Sequence, residues 1–259
     1  MPTKGAGGKQ CYVCASPALK GAWHLTGFPF KMADKDFLAK CAESFSSSDS
    51  PVVTKESCSG PCVTLLVSVP NGQTEASTEI VRGCHSTLVG FDYNEAQSDE
   101  CSYEEILSDP HDQSSKLKKG IQFCTGETCN TKKASDFSNS NCPPSKETSV
   151  RCYDCTDDDS NCKNDGNKGT YASGPWCYRK YLDYGDERVE KGATQVNVFG
   201  REHCAKFEGQ SWFPINNWFD IESRQCFCKT NLCNGAISPR SLGLGAVFMI
   251  ITSAVLRLH

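Results

Sequence analysis

Apolar residues in this chain come in short bursts separated by turn signals. Val63 to Val69 (VTLLVSV) is rich in β-branched residues and stops at Pro70-Asn71-Gly72, a stretch that favours reversal. Thr78 to Arg82 (TEIVR) then runs back to Cys84, so the two runs predict a hairpin. Farther along, Trp176 to Tyr184 predicts an aromatic-rich strand, Gly185-Asp186 a turn, and Arg188 to Phe199 the returning strand. Phe37 to Phe45 and Tyr103 to Leu107 are read as short helices within insertions. Sustained helical periodicity is missing outside the C-terminal tail. The expected fold class is all-β.

Leu242 to Leu256 (LGLGAVFMIITSAVL) is apolar except for Thr252 and Ser253, and the chain stops three residues later. A spanning helix needs about 20 apolar residues, so this run is short. Upstream lie the small residues Asn234-Gly235-Ala236 and a polar spacer, Ile237 to Ser241. Small triplet, spacer and terminal apolar tail form a glycosylphosphatidylinositol (GPI) signal. Asn234 is the expected lipid attachment site, with Gly235 as the fallback; a short tail-anchor helix is the alternative. At the other end, Met1 to Gln10 has no apolar leader before Cys11, so a secretory leader is read as missing from this version of the chain.

Cysteine changes the picture most. The chain has 259 residues, 18 of them Cys, and an oxidising compartment turns such thiols into staples for domains with small cores. With 27 Lys+Arg against 31 Asp+Glu, the chain lacks the cationic surplus a nucleic-acid binder needs. No N-x-[ST] sequon occurs, so N-glycosylation is not expected.

The cysteines repeat. One segment opens Cys11-Tyr12-Val13-Cys14 and closes Cys124 to Cys129-Asn130; the other opens Cys152-Tyr153-Asp154-Cys155 and closes Cys228 to Cys233-Asn234. Both read C-Y-x-C, then C-x4-C-N. Thr131 to Val150, rich in Ser, Lys, Asn and with a Pro-Pro pair, has linker composition. The expected organisation is an N-terminal segment 1–9, a first domain 10–130, a linker 131–150, a second domain 151–234 and a GPI signal with hydrophobic tail 235–259.

These paired marks resemble the lymphocyte-antigen-six/urokinase-receptor (LU, three-finger) family. The resemblance implies two tandem domains, each a disulfide knot with three β-hairpin fingers, with extra loops or short helices in the first. It implies a structural role for Asn130 and Asn234, whose amides would tie terminal strands together. It also implies Cys152–Cys177, Cys155–Cys162, Cys204–Cys226 and Cys228–Cys233 in the second domain, and Cys11–Cys62, Cys14–Cys41, Cys58–Cys84 and Cys124–Cys129 in the first. Gln122-Phe123 stand where the family places another Cys, which leaves Cys101 with Cys142 as its remaining partner.

Other chemistries fit less well. The C-x-x-C pairs lack the compact second pair of a zinc ribbon and the βαβ setting of a redox site. Asp157-Asp158-Asp159-Ser160-Asn161 fails the EF-hand pattern, with Cys162 and Lys168 where Gly and Glu are required; it reads as a solvated finger tip. His24, His85, His111, His203 and His259 sit in no catalytic motif and read as surface or packing residues. Lys116-Leu117-Lys118-Lys119 reads as a solvated loop. No cofactor, metal or catalytic residue is expected.

Two aromatic stretches remain. Ser211 to Phe219 (SWFPINNWF) lies where the second domain's third finger belongs. Trp212, Phe213, Trp218 and Phe219 are the candidate partner-binding residues, because a finger is too thin to bury them all and exposed aromatics anchor contacts. Trp23 to Phe30 (WHLTGFPF) lies in the enlarged first finger; contact surface and internal packing both stay open for each stretch. The reading is a non-enzymatic, GPI-anchored protein on the extracellular face of the cell membrane, whose partner is a membrane or extracellular protein. Family resemblance implies a receptor or a modulator of receptors or ion channels. The alternative is a soluble secreted two-domain inhibitor of an extracellular enzyme.

Overall fold

The computed structural model describes residues 9–235 apart from 44, 46–52, 71–75, 92–99, 110–111, 145–147, 157–161, 163–169, 186 and 214–216. The acidic run 157–161, His111, His259 and the apolar tail lie outside the described residues, as do the side chains of Trp212 and Phe213.

Twelve strands form six antiparallel hairpins among the described residues. In the first unit these are β1 (Lys9–Ala15) with β2 (Thr54–Cys58), β3 (Cys62–Val69) with β4 (Ser77–Cys84), and β5 (Cys101–Asp109) with β6 (Asp112–Cys124). They join one sheet in the order β2-β1-β4-β3-β6-β5. In the second unit, β7 (Val150–Asp154) pairs with β8 (Thr170–Gly174) as a two-stranded sheet. Strands β9 (Trp176–Asp183), β10 (Glu187–Thr194), β11 (His203–Phe213) and β12 (Asn217–Cys228) form a sheet in the order β10-β9-β12-β11. That order repeats β4-β3-β6-β5 of the first unit, so the tandem three-finger, all-β architecture is present in both.

Strand β3 is buried at every position, which accounts for its continuous apolar run: a strand covered on both faces has no polar side to alternate. On one face Leu66 joins Tyr12, Cys41, Phe137 and Cys142. On the other, Val63, Leu65 and Val67 join Trp23, Phe28 and residues of the second unit, Val196, Val198, Phe199 and Phe227. The linker contributes to the first layer, with Phe137 buried where any Cβ on Gly120 would collide with its ring.

Three local expectations are corrected. Tyr103 to Leu107 is not helical but part of β5, because Glu104, Glu105 and Ile106 face Lys119, Lys118 and Leu117 across the ladder, and opposite charges and apolar pairs there favour a strand. For the same reason Lys116 to Lys119 is not a loop; it is strand β6, with Lys116 Nζ 3.2 Å from Glu105. The return strand begun at Arg188 stops at Thr194; Gln195 to Phe199 leaves the sheet and packs against the first unit. Within 37–45, a 3-10 turn spans Ala39–Ala42, and Phe37 makes a bridge to Ala15 instead.

Candidate functional site

Nine disulfides hold the hairpins. Cys11–Cys62, Cys14–Cys41, Cys58–Cys84, Cys101–Cys142 and Cys124–Cys129 staple the first unit. Cys152–Cys177, Cys155–Cys162, Cys204–Cys226 and Cys228–Cys233 staple the second. Eight are the pairs that the three-finger resemblance implies; the ninth joins Cys101 to Cys142 in the linker, the partner left over where the chain departs from the family pattern. In the chain-entropy account a bridge with the separation of 51 residues of Cys11–Cys62 removes about 4 kcal/mol of unfolded-state freedom, a large sum for units with thin hairpins.

The two asparagines after the last cysteines occupy equivalent places. Tyr12 N–H donates to Asn130 Oδ1 at 3.1 Å, and Asn130 Nδ2 donates to Tyr12 O and Val63 O. Tyr153 N–H donates to Asn234 Oδ1 at 3.0 Å, and Asn234 Nδ2 donates to Tyr153 O and Tyr178 O. Each amide joins the first strand of its unit to the central sheet. Preceding them, Thr128 and Leu232 both adopt positive φ, 45° and 60°, and their N–H groups donate to Gln10 O and Arg151 O. Gly235, the fallback attachment residue, donates to Leu232 O and accepts from Arg179 Nη1, so both Asn234 and Gly235 sit within the second unit's hydrogen-bonded frame.

Arg82 was not singled out by the sequence. Its fully buried guanidinium donates to Cys41 O, Asn130 O and Glu43 O and lies over the Phe45 ring. Burial lowers its pKa to about 10, and three carbonyl partners keep it satisfied. It ties the insertion to the knot.

The third finger of the second unit is the longest hairpin, with eleven residue pairs from His203↔Phe227 to Phe213↔Asn217. Its alternation sets two faces. Phe207, Ile221 and Phe227 turn inward and are buried. Trp218, Asp220, Glu222 and Arg224 turn outward; Lys206 bridges Glu208 and Glu222 there. Trp218 is 54% exposed and lies opposite Trp212 in the register, while Phe219 is half-buried. Of the four candidate binding residues, Trp218 is therefore the one whose side chain is displayed to solvent among the described residues.

Trp23 to Phe30 behaves otherwise. Trp23 and Phe28 are buried, and Trp23 Nε1 donates to Phe28 O at 3.1 Å. Gly27, with φ of 77°, meets the second unit: a Cβ there would collide with the Gln225 side chain and lie 3.3 Å from Val198. The stretch packs internally; only Phe30, 55% exposed, points away.

Around it the two units share a seam that the sequence did not disclose. His85 Nε2 lies 2.9 Å from Val198 O, 113 residues away. Glu104 accepts from Thr194 Oγ1 at 2.6 Å and from Gln195 N–H at 2.8 Å. Phe91 stacks obliquely on His203 at 4.4 Å, under the Arg201 guanidinium. Val196 and Val198, apolar residues beyond the end of β10, were the available signal. Among the described residues, no group of three or more His, Cys, Asp or Glu side chains is arranged to hold a metal ion, and no helix is long and apolar enough to cross a membrane.

Paired three-hairpin units closed by such knots define a disulfide-rich, three-finger class of protein. Residues 14–131 match the family model described as Caenorhabditis elegans ly-6-related protein, so the first unit is similar to that family; the match does not extend to the second. No curated protein matches the chain. That similarity supports a small extracellular disulfide-rich protein; proteins of the matched family are generally non-enzymatic binding proteins.

Proposed function

We propose that this protein is a non-enzymatic recognition protein, held by a GPI lipid on the extracellular face of the cell membrane, that binds a membrane or extracellular protein through its finger tips. The role is that of a receptor or a modulator of receptors or ion channels, those of neurons included. The observation that carries the reading is the placement of Trp218. Ten residues of strand separate it from Cys228 at the knot, about 33 Å at strand rise. Asn234 and Gly235 sit at that knot, so a lipid attached there stands at the opposite end from the exposed indole. The knot holds the hairpin before contact, which keeps the ordering cost of binding small.

Two measurements test this. Phosphatidylinositol-specific phospholipase should release the protein from intact cells; free secretion without the enzyme would favour the soluble two-domain inhibitor instead. Proximity labelling on intact cells should lose neighbours in a Trp212→Ala/Trp218→Ala variant. Unchanged neighbours would remove this finger from the binding surface.

A further inference from the structure

The second unit's four-stranded sheet turns one face to the shared core, where Leu182, Phe207, Ile221 and Phe227 pack. Its other face carries a conflict that the fold does not require. Glu208 stands opposite Glu222, Glu222 opposite Asp183, and Asp183 opposite Glu187. Directly opposed residues share a face, so four carboxylates form one row across β11, β12, β9 and β10, about 4.8 Å from strand to strand. Like charges placed opposite one another weaken a ladder.

Compensation on that face is partial. Lys206 bridges Glu208 and Glu222, and Arg224 Nη2 lies 3.8 Å from Glu222. Both cations thus gather on one half of the row. On the other half Asp183 accepts from Gly185 N–H and Tyr181 Oη. Nearer the tip, Asp220 accepts from Gln210 Nε2. These donors carry no charge. Arg188 pairs with Leu182 in the ladder and so lies on the opposite face, over the Tyr184 ring. Between the tip and the row of Lys206 and Arg224, five carboxylates among the described residues therefore stand against two cations. Tyr181, on the same face, senses the surplus: partial burial, then Asp183, Glu187 and Glu222, hold its hydroxyl above the usual tyrosine range. The row borders an open groove lined by Asp183, Gly185, Gln210 and Asp220. Two residues before Asp220, on the same face, stands the exposed Trp218.

We propose that this sheet face is the docking surface for an arginine-rich segment of the partner protein, whose guanidinium groups pair with the carboxylate row while one stacks on the Trp218 indole. The inference rests on the finger-tip reading above and adds the partner's chemistry. Charge complementarity selects a cationic segment. Neighbouring carboxylates beside an indole favour guanidinium over ammonium, because the planar group bonds in bidentate fashion and stacks on an aromatic face. A bound segment relieves the repulsion along the row, so the feature that weakens the free sheet strengthens the complex. Local rules broken in this way are expected where a surface serves binding.

Titration of the full oxidised chain with a hexa-arginine peptide, followed by NMR of the indole N–H signals, tests this. The peptide should bind, shift the Trp218 signal and lose affinity as salt rises; its citrulline counterpart should leave the signal in place. In an Asp183→Asn/Glu187→Gln variant, with no free thiol by intact mass, affinity should fall roughly threefold to tenfold. Resistance to denaturant should rise in the same variant, because the repulsion is removed. An Asp34→Asn/Glu43→Gln variant, which removes equal charge from the first unit, should bind as the wild type does. No binding by the wild type, an unmoved Trp218 signal, or an equal loss in the first-unit variant would overturn the proposal. Should the row variant misfold, the wild-type signal and the first-unit variant decide. On intact cells, the row variant should lose the neighbours that the Trp212→Ala/Trp218→Ala variant loses. Neighbours lost by the tryptophan variant but kept by the row variant refute the cationic partner and leave the finger-tip reading standing. Neighbours kept by both remove the finger itself.

Discussion

Two aromatic stretches of similar make-up end in different places. Trp23 to Phe30 sits in an enlarged loop between β1 and β2, and Trp218 and Phe219 sit near the end of a bare hairpin. The loop is long enough to fold over a sheet, so Trp23 and Phe28 find a second layer and become core. Among the described residues the hairpin has no such layer at its end, and Trp218 stays 54% exposed. Composition alone does not set the fate of an aromatic cluster; the layer available to cover it does.

The sharpest way to break this contrast is to truncate the buried member. Trp23→Ala should cost about 3–5 kcal/mol in denaturant unfolding with the disulfides intact. Arg82→Met comes next, because it leaves Cys41, Asn130 and Glu43 carbonyls without their charged donor; roughly 3 kcal/mol is expected, read by the same measurement. Gly27→Ala forces a side chain into a left-handed position against Gln225 and should cost roughly 1–3 kcal/mol. Its signature is faster hydrogen exchange over 195–199. At the small end, Trp218→Ala should change stability by no more than about 0.5 kcal/mol while lowering binding to cells about tenfold or more. A Trp218 variant as unstable as the Trp23 variant would erase the difference between the two stretches.

What was legible in the sequence is what is local or stapled. The hairpin at Val63 to Arg82 shows as β-branched runs around a turn, and the cysteine marks carry their partners through the resemblance. Tyr103 to Leu107 misled because its strand character comes from Lys116 to Lys119 across the ladder, not from its own residues. The partners across the seam were illegible for a similar reason, although the apolar Val196 and Val198 beyond β10 marked one side of it. His85 and Val198, or Glu104 and Thr194, meet only once two units have folded, and no periodicity links them. The third finger's exposure at Trp218 was open to reasoning, since a two-stranded ribbon has little interior.

The tie between Cys101 and Cys142 has one more consequence. It anchors most of the connecting segment to the first unit, leaving eight residue steps from Cys142 to the start of β7 at Val150. Fully stretched, those steps reach at most about 27 Å. A leash that short keeps the local concentration of one unit near the other in roughly the millimolar range. Even when apart, the halves would meet again far more often than they would meet a free partner, and recoupling would be fast and independent of protein dilution.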